Sequence, residues 1–351
     1  MTAKTMLQQV MTGPKEIQFQ TVALQEIQPG QVLLKIIKIG VCGSDIHVFH
    51  GKHPYVTYPL TQGHEVSAQV ITVGKGVRNL HAGQKVTVEP QAYCGACHPC
   101  QHGKYNLCEN LKVMGFQTIG TASDYFIADA TKVTALHEAM SYDEGAMIEP
   151  LAVTVHACKR VSDLEGKKVL VLGAGPIGNL LCQSLKAFGA KEVMVTDISD
   201  FRLDFAKKLG VSHTINTSEI DLSEALVNAF GEDKADYIFD CAGNDITINQ
   251  AIHNARKGSK IVLVAVFDRM AKVDLAKLND SEIDLCTSMM YRHEDYLDAI
   301  EFVEDGRVQL SPLISKRFSF KDYTKAYSYI EDHYETTMKV MIDVGEPEVI
   351  N

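Results

Sequence analysis

Four cysteines lie within fifteen residues, Cys94, Cys97, Cys100 and Cys108, spaced C-x2-C-x2-C-x7-C. The two-residue gaps put neighbouring thiolates on one tight turn, where a single tetrahedral zinc can take both. Gly95, Pro99 and Gly103 give that turn its freedom and its fixed bends. Nine cysteines without an apolar leader point to a reducing cytoplasm, where thiols bind metal rather than pair as disulfides. Four thiolates fill all the positions of a zinc ion, so this centre braces structure and leaves no place for a substrate. The chemistry is expected elsewhere.

A second set is Gly173-Ala-Gly175-Pro176-Ile177-Gly178. It follows an apolar run and opens a helical stretch, the context a dinucleotide-binding turn requires. Gly173 permits the turn, Gly175 lets the backbone approach a pyrophosphate, and Gly178 allows helix to pack on strand. Asp197 stands nineteen residues beyond Gly178. A carboxylate there would bond the adenosine ribose hydroxyls and repel a 2′-phosphate, which favours NAD over NADP. Arg202 is open to three roles: flanking a 2′-phosphate, stacking beside adenine, or pairing with a carboxylate.

A third set is scattered. Cys42 lies in Gly40-Val-Cys42-Gly-Ser44-Asp-Ile-His47, His64 and Glu65 follow Gly63, and Glu149 precedes Pro150. One sulfur, one imidazole and one carboxylate would hold a zinc with an open position, a Lewis acid for an alcohol oxygen. Each also has a plainer role: a small buried thiol, a core histidine, solvated carboxylates, a helix cap at Ser44, an exposed His47. Spacing alone cannot assemble them.

The elements that must position these sets are legible in outline. A chain of 351 residues favours two domains, and 46% hydrophobic composition supports ordinary cores. The net charge of −10, with no long basic run, argues against nucleic acid and anionic membranes as partners. No apolar stretch reaches the length of a membrane span. Up to about residue 150 the chain reads as strands and loops, with runs at 31–39 and 68–73. From Lys167 it alternates strand and helix. Strands are expected at 168–172, 192–196, 237–239, 261–266 and 285–291, with a helix at 177–188: a doubly wound α/β pattern.

Taken together, Cys42-Gly-Ser-Asp-Ile-His47, Gly63-His64-Glu65, the four-cysteine lobe, Ile148-Glu149-Pro150 and Gly173 to Gly178 resemble the zinc-dependent medium-chain alcohol dehydrogenase superfamily. The resemblance covers nearly the whole chain. The Glu-Pro at 149–150 and Met290-Tyr-Arg292 look most like its sorbitol and polyol branch. It implies a GroES-like, β-rich catalytic domain over 1–152 with the zinc lobe at about 90–112. A Rossmann NAD-binding domain would follow over 153–291, with a return to the first domain over 292–351. It implies a catalytic zinc on Cys42, His64 and Glu65, with Glu149 acting directly or through water, and a structural zinc on the four cysteines. Ser44 and His47 would relay the substrate proton, Arg292 and Phe116 would contact substrate, and the product would be a ketone and NADH. A homo-oligomer, in particular a tetramer, is implied too. The chain departs from many relatives at Ile119-Gly-Thr-Ala-Ser-Asp124-Tyr and after His47, which leaves the particular polyol open. The alternatives are a dehydrogenase for a sugar acid, a sugar phosphate or L-threonine, and, in a different class, a non-catalytic nucleotide-binding protein on the same fold.

Overall fold

The computed structural model describes residues 5–267 and 269–350. The chain divides into two compact units, 1–149 with 314–351, and 150–313. The return to the first unit therefore begins at Ile314, later than the expected 292. Helix His293–Glu304 buries Asp295, Tyr296, Ala299, Ile300 and Phe302, and stays with the second unit.

The first unit is built on strand Gln31–Val41, whose apolar residues alternate into the core before both faces become covered near its end. It pairs antiparallel with Glu65–Val73, Tyr125–Asp129 and Lys339–Asp343. Lys85–Val88, Val133–Ala135 and Ile314–Ser319 complete a seven-stranded sheet. The register decides the site: Gly40 lies opposite Glu65 on one side and opposite Met341 on the other. Three strand ends thus converge just before Cys42. A hairpin of Thr5–Gly13 and Glu16–Ala23 adds a separate two-stranded sheet.

The second unit is a six-stranded parallel sheet. Its order is His213–Asn216, Glu192–Asp197, Lys168–Leu172, Tyr237–Asp240, Lys260–Leu263 and Asp284–Thr287. The first strand in sequence lies inside, and the order reverses beside it, the switch point where such folds bind dinucleotides. Val169 to Leu172 are fully buried. The strand expected over 261–266 ends at Leu263, because Val264 and Ala265 both turn their N–H groups onto the Asp240 carbonyl. That expected over 285–291 ends at Thr287, since Met290 takes a left-handed φ of 51°.

Candidate functional site

The strand register gathers a buried corner in the first unit. Cys42 caps helix Gly43–Phe49, and its N–H donates to Asp45 Oδ2 at 2.9 Å. His64 and Glu65 enter from the start of the neighbouring strand, both buried. Ligand atoms of Cys42, His64 and Glu65 lie within 4.8 Å of one another. Asp45, which sequence reasoning passed over, is 1% exposed, with Oδ1 3.5 Å from His64 Nδ1. A carboxylate behind a ligating imidazole fixes its orientation and raises its basicity. Burial pushes the His64 pKa down, but Asp45 and the Cys42 thiol beside the ring push it well above the ordinary value.

Glu65 has a second partner that no local pattern reveals. Lys339 Nζ donates to its two carboxylate oxygens at 2.7 and 2.6 Å, and both residues are almost fully buried. Burial lowers the Lys339 pKa, but Glu65 and Cys42 more than reverse this. A Cβ at residue 40 would stand 2.2 Å from Glu65 Oε2, so Gly40 is what lets the pair form inside the sheet. Glu149 sits in the first turn of helix Ile148–Cys158 and is 7% exposed. It lies outside the 4.8 Å group, yet its charge acts on both His64 and Lys339. Ser44 is half-buried and His47 exposed, three residues apart on one helix and so on one face. The cap of that helix is Cys42, so capping does not account for Ser44. Phe116 packs its ring on His64 at 4.9 Å and on His53 at 5.0 Å.

The four-cysteine lobe is pinched at its base by Gln91–Ala92 pairing with Lys112–Val113. All four sulfurs lie within 4.8 Å of one another. Backbone N–H groups of Cys94 and Asn110 point at Cys108 Sγ, both at 3.3 Å, and that of Cys97 at Cys94 Sγ, at 3.4 Å. Such donors stabilise thiolates. The Ala96 and Cys97 N–H groups bring the Cys94 pKa down to about 6, while burial and the other thiols push Cys100 up to about 12. Four sulfurs within 4.8 Å of one another, competing for negative charge, are suited to a dication.

In the second unit Gly173 takes φ +94° and Gly175 caps helix Pro176–Ala187, with Pro176 and Ile177 opening it. A Cβ at Gly178 would stand 1.8 Å from the Gly173 carbonyl oxygen, so only glycine fits. Asp197 ends its strand and accepts N–H groups from Ala174, Ile198 and Ser199. Arg202 takes the third of its open roles, with NH1 3.8 Å from Asp197 Oδ2. Arg292 begins helix His293–Glu304; its N–H donates to Asp295 Oδ2 at 2.7 Å, and Nε lies 3.0 Å from Glu294 Oε1.

Residues 28–138 match the alcohol dehydrogenase GroES-like domain family, and residues 176–305 the zinc-binding dehydrogenase family. Sorbitol dehydrogenase 1 of Saccharomyces cerevisiae is 34% identical over 90% of this chain and 91% of its own. L-idonate 5-dehydrogenase of Vitis vinifera is 33% identical over 90% and 89%. The crystal structure of galactitol-1-phosphate dehydrogenase from Escherichia coli is 30% identical and superposes with a TM-score of 0.89, covering 97% of this chain and 100% of that one. The chain belongs to the zinc-dependent medium-chain alcohol dehydrogenase superfamily, in its polyol branch.

As a zinc-dependent alcohol or polyol dehydrogenase, the chain has donor sets that fit two metal ions. His64 Nδ1 faces Asp45 Oδ1, which leaves Nε2 as the ring's ligand atom, and Cys42 and the lobe thiols have no disulfide. The dehydrogenase fold also contains a network that sequence reasoning missed. Asp295, fully buried, accepts from His156 Nδ1 at 2.8 Å and Lys159 Nζ at 2.7 Å as well as from Arg292 N. Residues 139 apart in sequence carry no local signal of such a contact. Asp240 is another: it pins Ala242 and Gly243 beside the Gly173 turn by accepting their N–H groups.

Proposed function

We propose that this dehydrogenase reversibly oxidises a secondary hydroxyl of a polyol, of sorbitol, iditol or galactitol type, to the ketose with NAD. The observation that carries this is the meeting of Cys42, His64 and Glu65 in one buried corner. The likeness to a yeast sorbitol dehydrogenase supports the substrate class. Held by Cys42 and His64, with Glu65 and Glu149 as carboxylate donors directly or through water, zinc would acidify the hydroxyl, and NAD would take the hydride. Asp45 orients His64 toward that task. Lys339 neutralises Glu65 and holds it in place, which makes Glu149 the more available carboxylate. Ser44 accepts the substrate proton, and His47 on the same helix face passes it to solvent. Phe116 forms an apolar wall against His64.

NAD rather than NADP follows from Asp197, whose charge opposes a 2′-phosphate and already engages Arg202. Cys94, Cys97, Cys100 and Cys108 hold a structural zinc. Nine free cysteines suit a reducing cytoplasm. Strand Asp284–Thr287 ends the parallel sheet with Leu285 exposed, an edge suited to pairing in a homotetramer. The test of the activity is NADH absorbance from zinc-replete protein with NAD and a polyol panel. Turnover of at least one polyol is expected, and none with any alcohol would refute the proposal.

A further inference from the structure

The stretch from His47 to His53 carries three histidines and a lysine in a chain of net charge −10. His50 is committed, with Nε2 2.6 Å from Glu331. His47 and Lys52 are exposed, and neither forms an ion pair among the described residues. The Lys52 N–H donates to the His47 carbonyl at 2.9 Å, which folds the loop back on the helix end.

His53 is placed more tightly. Its ring stacks on Phe116 at 5.0 Å and 18°, and Phe116 packs on His64 at 4.9 Å. Two ring contacts therefore connect His53 to His64 of the catalytic corner. The Tyr55 N–H donates to His53 Nδ1 at 3.4 Å, which leaves Nε2 as the ring's donor. Burial and the nearby His47 both push the His53 pKa down.

Lys52 brings three donors and a positive charge, and the His53 Nε2–H a further donor, a combination suited to an anion. We propose that the natural substrate is a polyol with an anionic end, a carboxylate or a phosphate ester, received by His53 and Lys52 with His47 beside them while the hydroxyl to be oxidised lies at the Cys42–His64 corner. This rests on the dehydrogenase activity proposed above and narrows its substrate.

The test compares hexitols, the corresponding hexonates and the hexitol 6-phosphates as substrates of the zinc-replete enzyme with NAD, at low and high salt. The best anion-bearing substrate is expected to exceed the best neutral hexitol about tenfold or more in kcat/KM, mainly through KM, with the advantage shrinking in salt. Whether hexonate or phosphate wins assigns the anion. Lys52→Ala and His53→Phe should each reduce that preference about tenfold. His53→Phe keeps the ring stack on Phe116 and removes only the donor, so it separates recognition from packing. A neutral hexitol as best substrate, or a preference unchanged in both variants, overturns the proposal. If no compound in any arm reduces NAD, the dehydrogenase proposal itself fails and this one with it.

Discussion

The first unit holds two sulfur-containing centres that fold by opposite routes. The lobe takes its four thiols from one fifteen-residue segment and closes over them with local backbone N–H donors. The Cys42 corner draws on three strand ends, a helix cap and a lysine 274 residues from its partner glutamate. The lobe offers four soft donors of one chemical type and no vacancy. The corner offers one sulfur, one imidazole and carboxylates, buried and electrostatically coupled. Under the roles proposed for them, the difference teaches that a brace can be local, whereas a reactive centre is worth tying to the whole domain, since its ligands must stay fixed while substrates come and go.

The sharpest way to break this contrast is Cys42→Ala. Turnover should fall by about a thousandfold or more, because the Lewis acid loses its thiolate anchor, while NAD binding followed by NADH-competition fluorescence stays near wild type. Next in size is Lys339→Met, which strands the Glu65 carboxylate in the sheet. A stability loss of about 3–5 kcal/mol in denaturant titration is expected. A loss under about 1 kcal/mol would mean that the pair is dispensable. Asp197→Asn should have a smaller effect, about a tenfold drop in the preference for NAD over NADP, read from the ratio of kcat/KM values.

The smallest effect concerns acid. Burial raises the Asp295 pKa, but His156, Lys159 and the Arg292 N–H outweigh it and hold it below the usual value. A depressed folded pKa gives stability that is present above the unfolded value of about 4 and lost as pH falls through the lower folded one. Acid unfolding below about pH 4 should therefore be less steep in Asp295→Asn than in wild type, by chemical denaturation at stepped pH.

The sequence made one centre and the parallel sheet plain because both are written locally. C-x2-C spacing and the apolar run before Gly173 each specify their own geometry. The corner was assembled only through the family resemblance, since nothing near Cys42 points to His64. Asp45, though three residues from Cys42, gave no sign that it would back an imidazole. Lys339 and Asp295 were invisible, because their partners are set by strand register and helix packing. The overlong strands at 261–266 and 285–291 fail for a related reason: apolar runs continue past the sheet where the chain turns over its edge, leaving Val266 and Met289 exposed.

The most direct test of two centres with separate duties is a zinc count per chain, by inductively coupled plasma mass spectrometry, on wild type, Cys42→Ala and Cys97→Ala, beside limited proteolysis of the 94–108 loop. Two zinc ions are expected in wild type. Cys42→Ala should hold one, with no turnover and an intact loop, and Cys97→Ala should also hold one, with a loop cut readily. Full turnover in Cys42→Ala, or a loop equally resistant with and without Cys97, would contradict the division between the two centres.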